Sequence, residues 1–346
     1  MKSKYYCARQ VLALGLLLFV WAKLAWASDH ADPVFNKNPE QSLAGLFVFP
    51  WQAPTGEHQL VVILTFYPGL PPLLKAAGAP SETLPSTVHL DHLVGKRYQL
   101  HFDFTTPVSF ADEQQRLRFG GTVNQPEKIH SDASLSYQLN ADLSLYDLTT
   151  AGSFANLAKV EHTIGIFDDP FIFPKFFGTN AIAIISLLPQ GALPANQQAF
   201  IVWAELRDGE KKIDHVGRSN RTMQPRLNFL NTLAPKHHIR AIAKRHNDPG
   251  LIDGILMKYL APLFAIRDYD LFADVMIYNP AMPVGFPNGR QLTDDVAAIT
   301  CQTGDCLLWE LSFADVKRWQ WPRKTTNDKA FLPTYPFLAS PWVKQP

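Results

Sequence analysis

Past its leader, the chain has no long hydrophobic run. Nothing after residue 27 approaches the roughly eighteen apolar residues that a membrane helix needs, so residues 28–346 are expected to carry no transmembrane segment. Charge is also scarce, at 18% of residues against a usual quarter. The 32 basic residues nearly cancel the 31 acidic ones, leaving a formal charge of +1. That balance supplies no basic face, and no nucleic-acid partner is expected. Catalytic signatures are missing too. There is no His-Glu-x-x-His, no Gly-x-Ser-x-Gly, no phosphate-loop Gly-Lys-Ser/Thr and no Cys-x-x-Cys-His. Cysteine is rare, with three in the whole chain.

What is present points outward from the cell. Lys2, Lys4 and Arg9 precede the apolar run 11–22, and Ala25 and Ala27 offer small residues for a signal peptidase. Residues 1–27 therefore read as a signal peptide cut after Ala27, giving a periplasmic or secreted protein. An uncleaved anchor is the competing reading, because Lys23 interrupts the approach to the cleavage site. Cys7 falls in the leader, which leaves Cys301 and Cys306. In an oxidising compartment, two thiols closing a short loop through Gly304-Asp305 suggest a disulfide.

Apolar residues reach 47%, with 27 prolines and 23 phenylalanines, a composition that favours many short strands and rigid turns. Strand-length runs recur at 46–49, 60–66, 87–93, 97–104, 134–139, 162–167, 181–188 and 200–206. The last two are continuously apolar, as strands buried on both sides would be. In 97–104, Tyr98, Leu100, Phe102 and Phe104 alternate with Gln99, His101 and Asp103. Helical pattern is limited to 251–264 and 291–299, and the proline-rich tail 333–346 reads as an extended strap. The fold class is mainly β: sandwich-like antiparallel sheets with a few short helices and long Pro-rich loops. Residues 28–346 read as a single large domain, with a second lobe able to begin near 236 at the basic stretch 236–247.

Several segments, in order, resemble one family. They are Ser28-Asp29-His30-Ala31-Asp32-Pro33, Leu43 to Phe49, Gly165-Ile166-Phe167-Asp168-Asp169-Pro170-Phe171, Asn180 to Pro189, Phe200 to Glu205 and Ile213 to Arg218. Phe286-Pro287-Asn288-Gly289-Arg290-Gln291-Leu292-Thr293-Asp294-Asp295-Val296 and Tyr335 to Pro341 complete the set. Together they resemble the exported bacterial proteins grouped as "domain of unknown function 4331" (DUF4331). Phe167 and His215 stand where that family's motifs carry arginine. The resemblance implies an exported, mainly β protein and implies no particular activity.

Two candidate metal sites follow from residue chemistry. Cleavage after Ala27 would place His30 third, behind Ser28 and Asp29. An α-amine, two backbone amides and an imidazole would then suit copper(II) or nickel(II). The bland alternative is that His30 and Asp32 fasten the first strand. Asp168 and Asp169, before a proline and an aromatic cluster, could bind calcium, as could Asp294 and Asp295; turn and cap duty is the competing use. His89 and His92, three apart on an expected strand, would face opposite ways. Residues 236–246 (Lys236, His237, His238, Arg240, Lys244, Arg245, His246) read as a solvated basic loop; Trp319 and Trp321, with Arg318 and Arg323, could stack a sugar or anion, packing being the competing and favoured use. No cofactor is identified beyond a candidate divalent metal (copper, nickel or calcium). The expected role is binding or structural rather than catalytic. The alternative is a divalent-cation-dependent hydrolase using Asp168 and Asp169.

Overall fold

The computed structural model describes residues 40, 42–152, 160–194, 198–219, 221–222, 226–248, 265–304, 306, 313–315 and 320–345. Ser28, Asp29, His30, the leader expected at 1–27, the helix expected at 251–264 and Trp319 lie outside these. The described chain is dominated by antiparallel β-sheet. One sheet has four strands: β1 (Leu43–Gln52), β2 (His58–Leu70), β8 (Glu161–Asp168) and β9 (Asn180–Pro189), ordered β1-β2-β9-β8. The other has β3 (Lys96–Asp103), β6 (Ala133–Leu139), β7 (Leu145–Gly152), β10 (Phe200–Asp208) and β11 (Lys211–Val216), ordered β11-β10-β3-β6-β7. The short β12 (Met276–Tyr278) pairs with residues 200–202 of β10, and β11 pairs with residues 204–208. These two segments thus share one edge of β10, end to end. Two further ribbons are minor: β4 (Val108–Ser109) with β5 (Thr122–Val123), and β13 (Phe313–Asp315) with β14 (Gln320–Arg323).

Strand alternation decides the layering. Leu46, Val48, Val62, Leu64, Ile182 and Ile184 of the first sheet meet Tyr98, Leu100, Phe102, Leu135, Val202 and Ala204 of the second in one buried cluster. The intervening residues are apolar as well. Phe47, Val61, Ile63, Ala183 and Ile185 face outward beneath Phe337 and Leu338 of the C-terminal strap. Ile201 and Trp203 face outward beneath Phe119, Phe272 and Val275. The continuous runs in β9 and β10 are therefore strands covered on both faces, as expected. Truncating a residue such as Ile184 to alanine should cost about 2–5 kcal/mol, the usual toll of a cavity in a packed core.

Three local expectations need correction. Residues 87–93 form no strand; Asp91–Leu93 is a single 3₁₀ turn. The helix expected at 291–299 is Val296–Gln302, because Asp295 caps it by accepting from the Ala298 N–H at 3.1 Å. Asp294 is spent upstream, on the N–H groups of Phe286 (2.7 Å) and Gln291 (2.8 Å). The basic stretch folds as a 3₁₀ turn followed by the helix His238–Asn247, with His238 and Ile242 buried. The Asn288-Gly289-Arg290 turn also has a structural use. Gly289 has φ +67°, and a Cβ there would stand 2.5 Å from the Val48 carbonyl, so glycine lets this loop bridge to β1.

Candidate functional sites

Antiparallel pairing of β3 with β6 ends at Phe102 opposite Ala133, so Asp103 leaves one strand where His130, Ser131 and Asp132 enter the other. One ligand atom each from Asp103, His130 and Asp132 lies within 4.8 Å of the others. The three differ in exposure: Asp103 is fully buried, Asp132 half-buried and His130 exposed. Asp103 anchors the turn. Its Oδ1 accepts from the N–H groups of Thr105 (3.1 Å) and Thr106 (2.8 Å), and its Oδ2 from the Thr106 hydroxyl (2.6 Å) and the His130 N–H (3.0 Å). Asp132 Oδ2 accepts from the Phe104 N–H at 2.8 Å. His130 Nδ1 donates to the Lys128 carbonyl (2.8 Å), which turns Nε2 toward Asp132 Oδ1, also at 2.8 Å. The Lys128 carbonyl and the charges of Asp103 and Asp132 raise the imidazole's proton affinity against slight burial.

This orientation is the one metal-ligating histidines adopt: one ring N–H fixed on a carbonyl, the other nitrogen presented to the ion. The group could hold a metal ion at the place where a proton now joins His130 to Asp132. Sequence reading did not single it out. A signal existed in His130-x-Asp132, since an extended chain puts i and i+2 on one side, but Asp103 joins them only through strand pairing.

The predicted pair Asp168 and Asp169 divides its duties. Asp169 is buried, with Oδ2 accepting from the Gly69 N–H (3.1 Å) and Oδ1 from the Phe171 N–H (3.2 Å). The recess beside it is lined mostly by Ala44, Phe47, Pro68, Pro170, Phe171 and Phe176. Its cavity of ≈ 10 Å³ has room for about one water, far below the roughly 300 Å³ at which small-molecule pockets begin. Such a site does not present paired carboxylates to a substrate. Asp168 points elsewhere: its Oδ2 accepts from Asn327 Nδ2 at 2.5 Å. Burial first, and the charge of Asp328 second, push its carboxyl up to about 7. A disulfide joins Cys301, in the last turn of helix Val296–Gln302, to Cys306 beyond the helix end. His92 Nε2 meets the Glu40 carbonyl at 2.7 Å, a packing use.

A third cluster lies on the outer side of β10 and β11 and is fully engaged. Lys212 Nζ donates to Glu205 (3.0 Å), to His215 Nδ1 (2.9 Å) and to the Leu233 carbonyl (2.6 Å), matching its three protons. His215 Nε2 donates to the Asp274 carbonyl at 2.7 Å. His238 Nε2 donates to Leu233 O (3.0 Å), and its Nδ1 accepts from the Asp274 N–H (3.1 Å). Both imidazoles are thereby neutral. Burial lowers their pKa values, and Lys212 adds to the effect in each. The Asp274 carboxylate accepts from the N–H groups of Gly217 (3.1 Å) and Arg218 (2.9 Å). Burial opposes its ionisation, but the hydrogen bond from His215 and the Arg221 guanidinium hold it below the usual carboxylate range. Gly217 is required there, because a Cβ would stand 2.4 Å from the Asp274 carbonyl oxygen. His215, placed where the resembled family has arginine, thus acts as a spacer between two edge segments.

No protein-family model matches the chain, and no curated protein matches it by sequence. Among solved structures, a carbohydrate binding module of family 9 from Caldicellulosiruptor kristjanssonii, in complex with glucose, aligns at 12% identity with a TM-score of 0.18. That alignment covers 42% of this chain and 53% of the module. The same kind of module in complex with cellotriose aligns at 12% identity and TM-score 0.19, covering 51% of this chain and 70% of the module. A likeness so slight carries nothing about this chain's ligand.

Among the described residues no helix is long and apolar enough to cross a membrane.

Proposed function

We propose that this chain is an exported, metal-associated binding or structural protein of the bacterial envelope, of the DUF4331 type. The observation that carries the metal assignment is the Asp103–His130–Asp132 group, three ligand atoms within 4.8 Å of one another. One imidazole nitrogen and two carboxylate oxygens suit a first-row divalent ion such as copper, nickel or zinc. The Lys128 carbonyl presets the ring, and the exposure of His130 leaves the remaining coordination positions to water or a ligand. Export is supported by the leader's composition and agrees with the Cys301–Cys306 bridge. A binding role is favoured over hydrolysis because Asp169 serves backbone N–H groups and its recess is small and apolar.

Titration calorimetry with zinc(II), nickel(II) and copper(II) on the purified protein and its His130→Ala variant tests the assignment. The expected result is one saturable site, weakened at least tenfold in the variant, since metal affinity scales with loss of a primary ligand. Equal binding by both proteins would remove the assignment.

A further inference from the structure

The C-terminal strap crosses the end of the four-stranded sheet twice, and an incompletely bonded carboxylate lies between the crossings. Asp168 closes β8 opposite Asn180 of β9. The later crossing is bolted to this pair. The Asp168 N–H donates to the Ala339 carbonyl at 3.2 Å, and Asn180 both accepts from the Trp342 N–H (2.6 Å) and donates to its carbonyl (3.1 Å). The earlier crossing brings Asn327 and Asp328. Asn327 Nδ2 donates to Asp168 Oδ2, and Asp328 Oδ2 accepts from the Gly178 N–H at 2.6 Å.

Three oxygens then remain buried with no hydrogen-bond partner among the described residues: Asp168 Oδ1, Asn327 Oδ1 and Asp328 Oδ1. Asp168 itself is only 1% exposed. With Asp168 ionised, they are a carboxylate, an amide carbonyl and a second carboxylate, all acceptors that cannot satisfy one another. Leaving such groups dry and unpaired is costly. Local donors fall short. The Lys329 ammonium donates to the Ser340 carbonyl (2.7 Å) and sits over the Trp342 ring at 4.2 Å. The Trp342 indole N–H faces the Asp168 carboxyl and helps to hold down its pKa, but it has one proton to give to three oxygens.

We propose that Asp168, Asn327 and Asp328 form an oxygen-lined site for a hard divalent cation of the calcium type, which clasps the strap to the end of β8. Such ions take carboxylate and side-chain amide oxygens together, at about 2.3–2.6 Å, and complete a shell of about six to eight with water and backbone carbonyls. The site differs from the expected Asp168–Asp169 pair, since Asp169 is committed to Gly69 and Phe171 and the other ligands come from the distant strap. It is independent of the Asp103–His130–Asp132 assignment. Two carboxylates against Lys329 leave the site net negative, as a cation site requires.

The test uses the His130→Ala variant, which leaves the other group out of the reading. Calcium chloride and magnesium chloride are titrated separately by calorimetry, with thermal unfolding followed in parallel. The expected result is one saturable calcium site per chain and a calcium-dependent rise in melting temperature. Asp168→Asn in the same background keeps the shape and should weaken binding at least tenfold and abolish that rise. Asp328→Asn should do the same, and it serves if the first variant fails to fold. No saturable calcium binding would mean that water fills the space, and would overturn the proposal. So would binding that both substitutions leave unchanged.

Discussion

Two buried charge clusters lie at opposite sides of the sandwich, and their hydrogen-bond inventories differ. Outside the six-stranded sheet, Lys212, His215, His238 and Asp274 find a partner for every ring nitrogen and ammonium proton. At the end of the four-stranded sheet, Asp168, Asn327 and Asp328 each keep an oxygen without a partner among the described residues. The first is buried throughout, whereas in the second Asp168 is buried and Asn327 and Asp328 are half-buried; the supply of donors differs as well. A buried charge whose partners are all present is part of the fold, and breaking it is costly. A buried acceptor without donors marks a place for something else. The Asp103–His130–Asp132 group stands between them: Asp103 accepts four hydrogen bonds and would exchange one of them for a metal ion, while His130 holds Asp132 through a proton that the ion could replace.

The largest expected effect comes from breaking the paired cluster. Asp274→Ala removes the acceptor for the Gly217 and Arg218 N–H groups and a buried neutralising charge, and should cost about 3–5 kcal/mol in urea denaturation. A loss below about 1 kcal/mol would show that the cluster is not holding the β11–β12 edge. Acid should act on the same cluster. His215 and His238 have folded pKa values below 6.5, so the unfolded chain takes up their protons first as pH falls. Their stabilising contribution is complete above about pH 6.5 and declines below it, by up to about 1.4 kcal/mol per pH unit for each histidine. The urea midpoint should therefore fall between about pH 7.5 and 5.5, and substituting His238 by glutamine should flatten that fall. A midpoint independent of pH over this range would mean that folding does not change the affinity of either ring for a proton.

The unpaired cluster should respond in the opposite sense. In chelator-treated protein, Asp168→Asn removes a buried charge that lacks full compensation, and should leave stability unchanged or raise it by up to about 1 kcal/mol. A loss of several kcal/mol there would erase the contrast between the two regions. The smallest effect is expected at the exposed ring. His130→Ala should shift stability by no more than about 1 kcal/mol, in keeping with surface ion pairs, while removing transition-metal binding. A large destabilisation would make His130 a structural pin.

Much of this architecture was legible where side-chain patterning carried it. The apolar runs of β9 and β10 announced strands covered on both faces, and Tyr98, Leu100 and Phe102 announced one inner face. Elements with different signals escaped. Strand β7 leaves Leu145 and Tyr146 exposed on a sheet edge, so no burial pattern marks it. Strand β11 reads Lys-Lys-Ile-Asp-His-Val and looks like a polar turn until its partners arrive from β10, residue 274 and the helix His238–Asn247. That helix buries only His238 and Ile242, too few positions to outweigh its basic composition. Asp168 was visible as a candidate, but its strap-borne companions were not, because Asn327 and Asp328 reach it only through the path of the tail. The expectation at Ser28, Asp29 and His30 lies outside the described residues, and keeps its own test in the mass of the exported chain.

The measurement that bears most directly on the proposed export and metal binding is native mass spectrometry of the protein purified from the cells that naturally make it. The account predicts a chain beginning at Ser28, carrying bound divalent metal that is reduced in the His130→Ala variant. A chain retaining its leader, or one with no metal in either form, would contradict it.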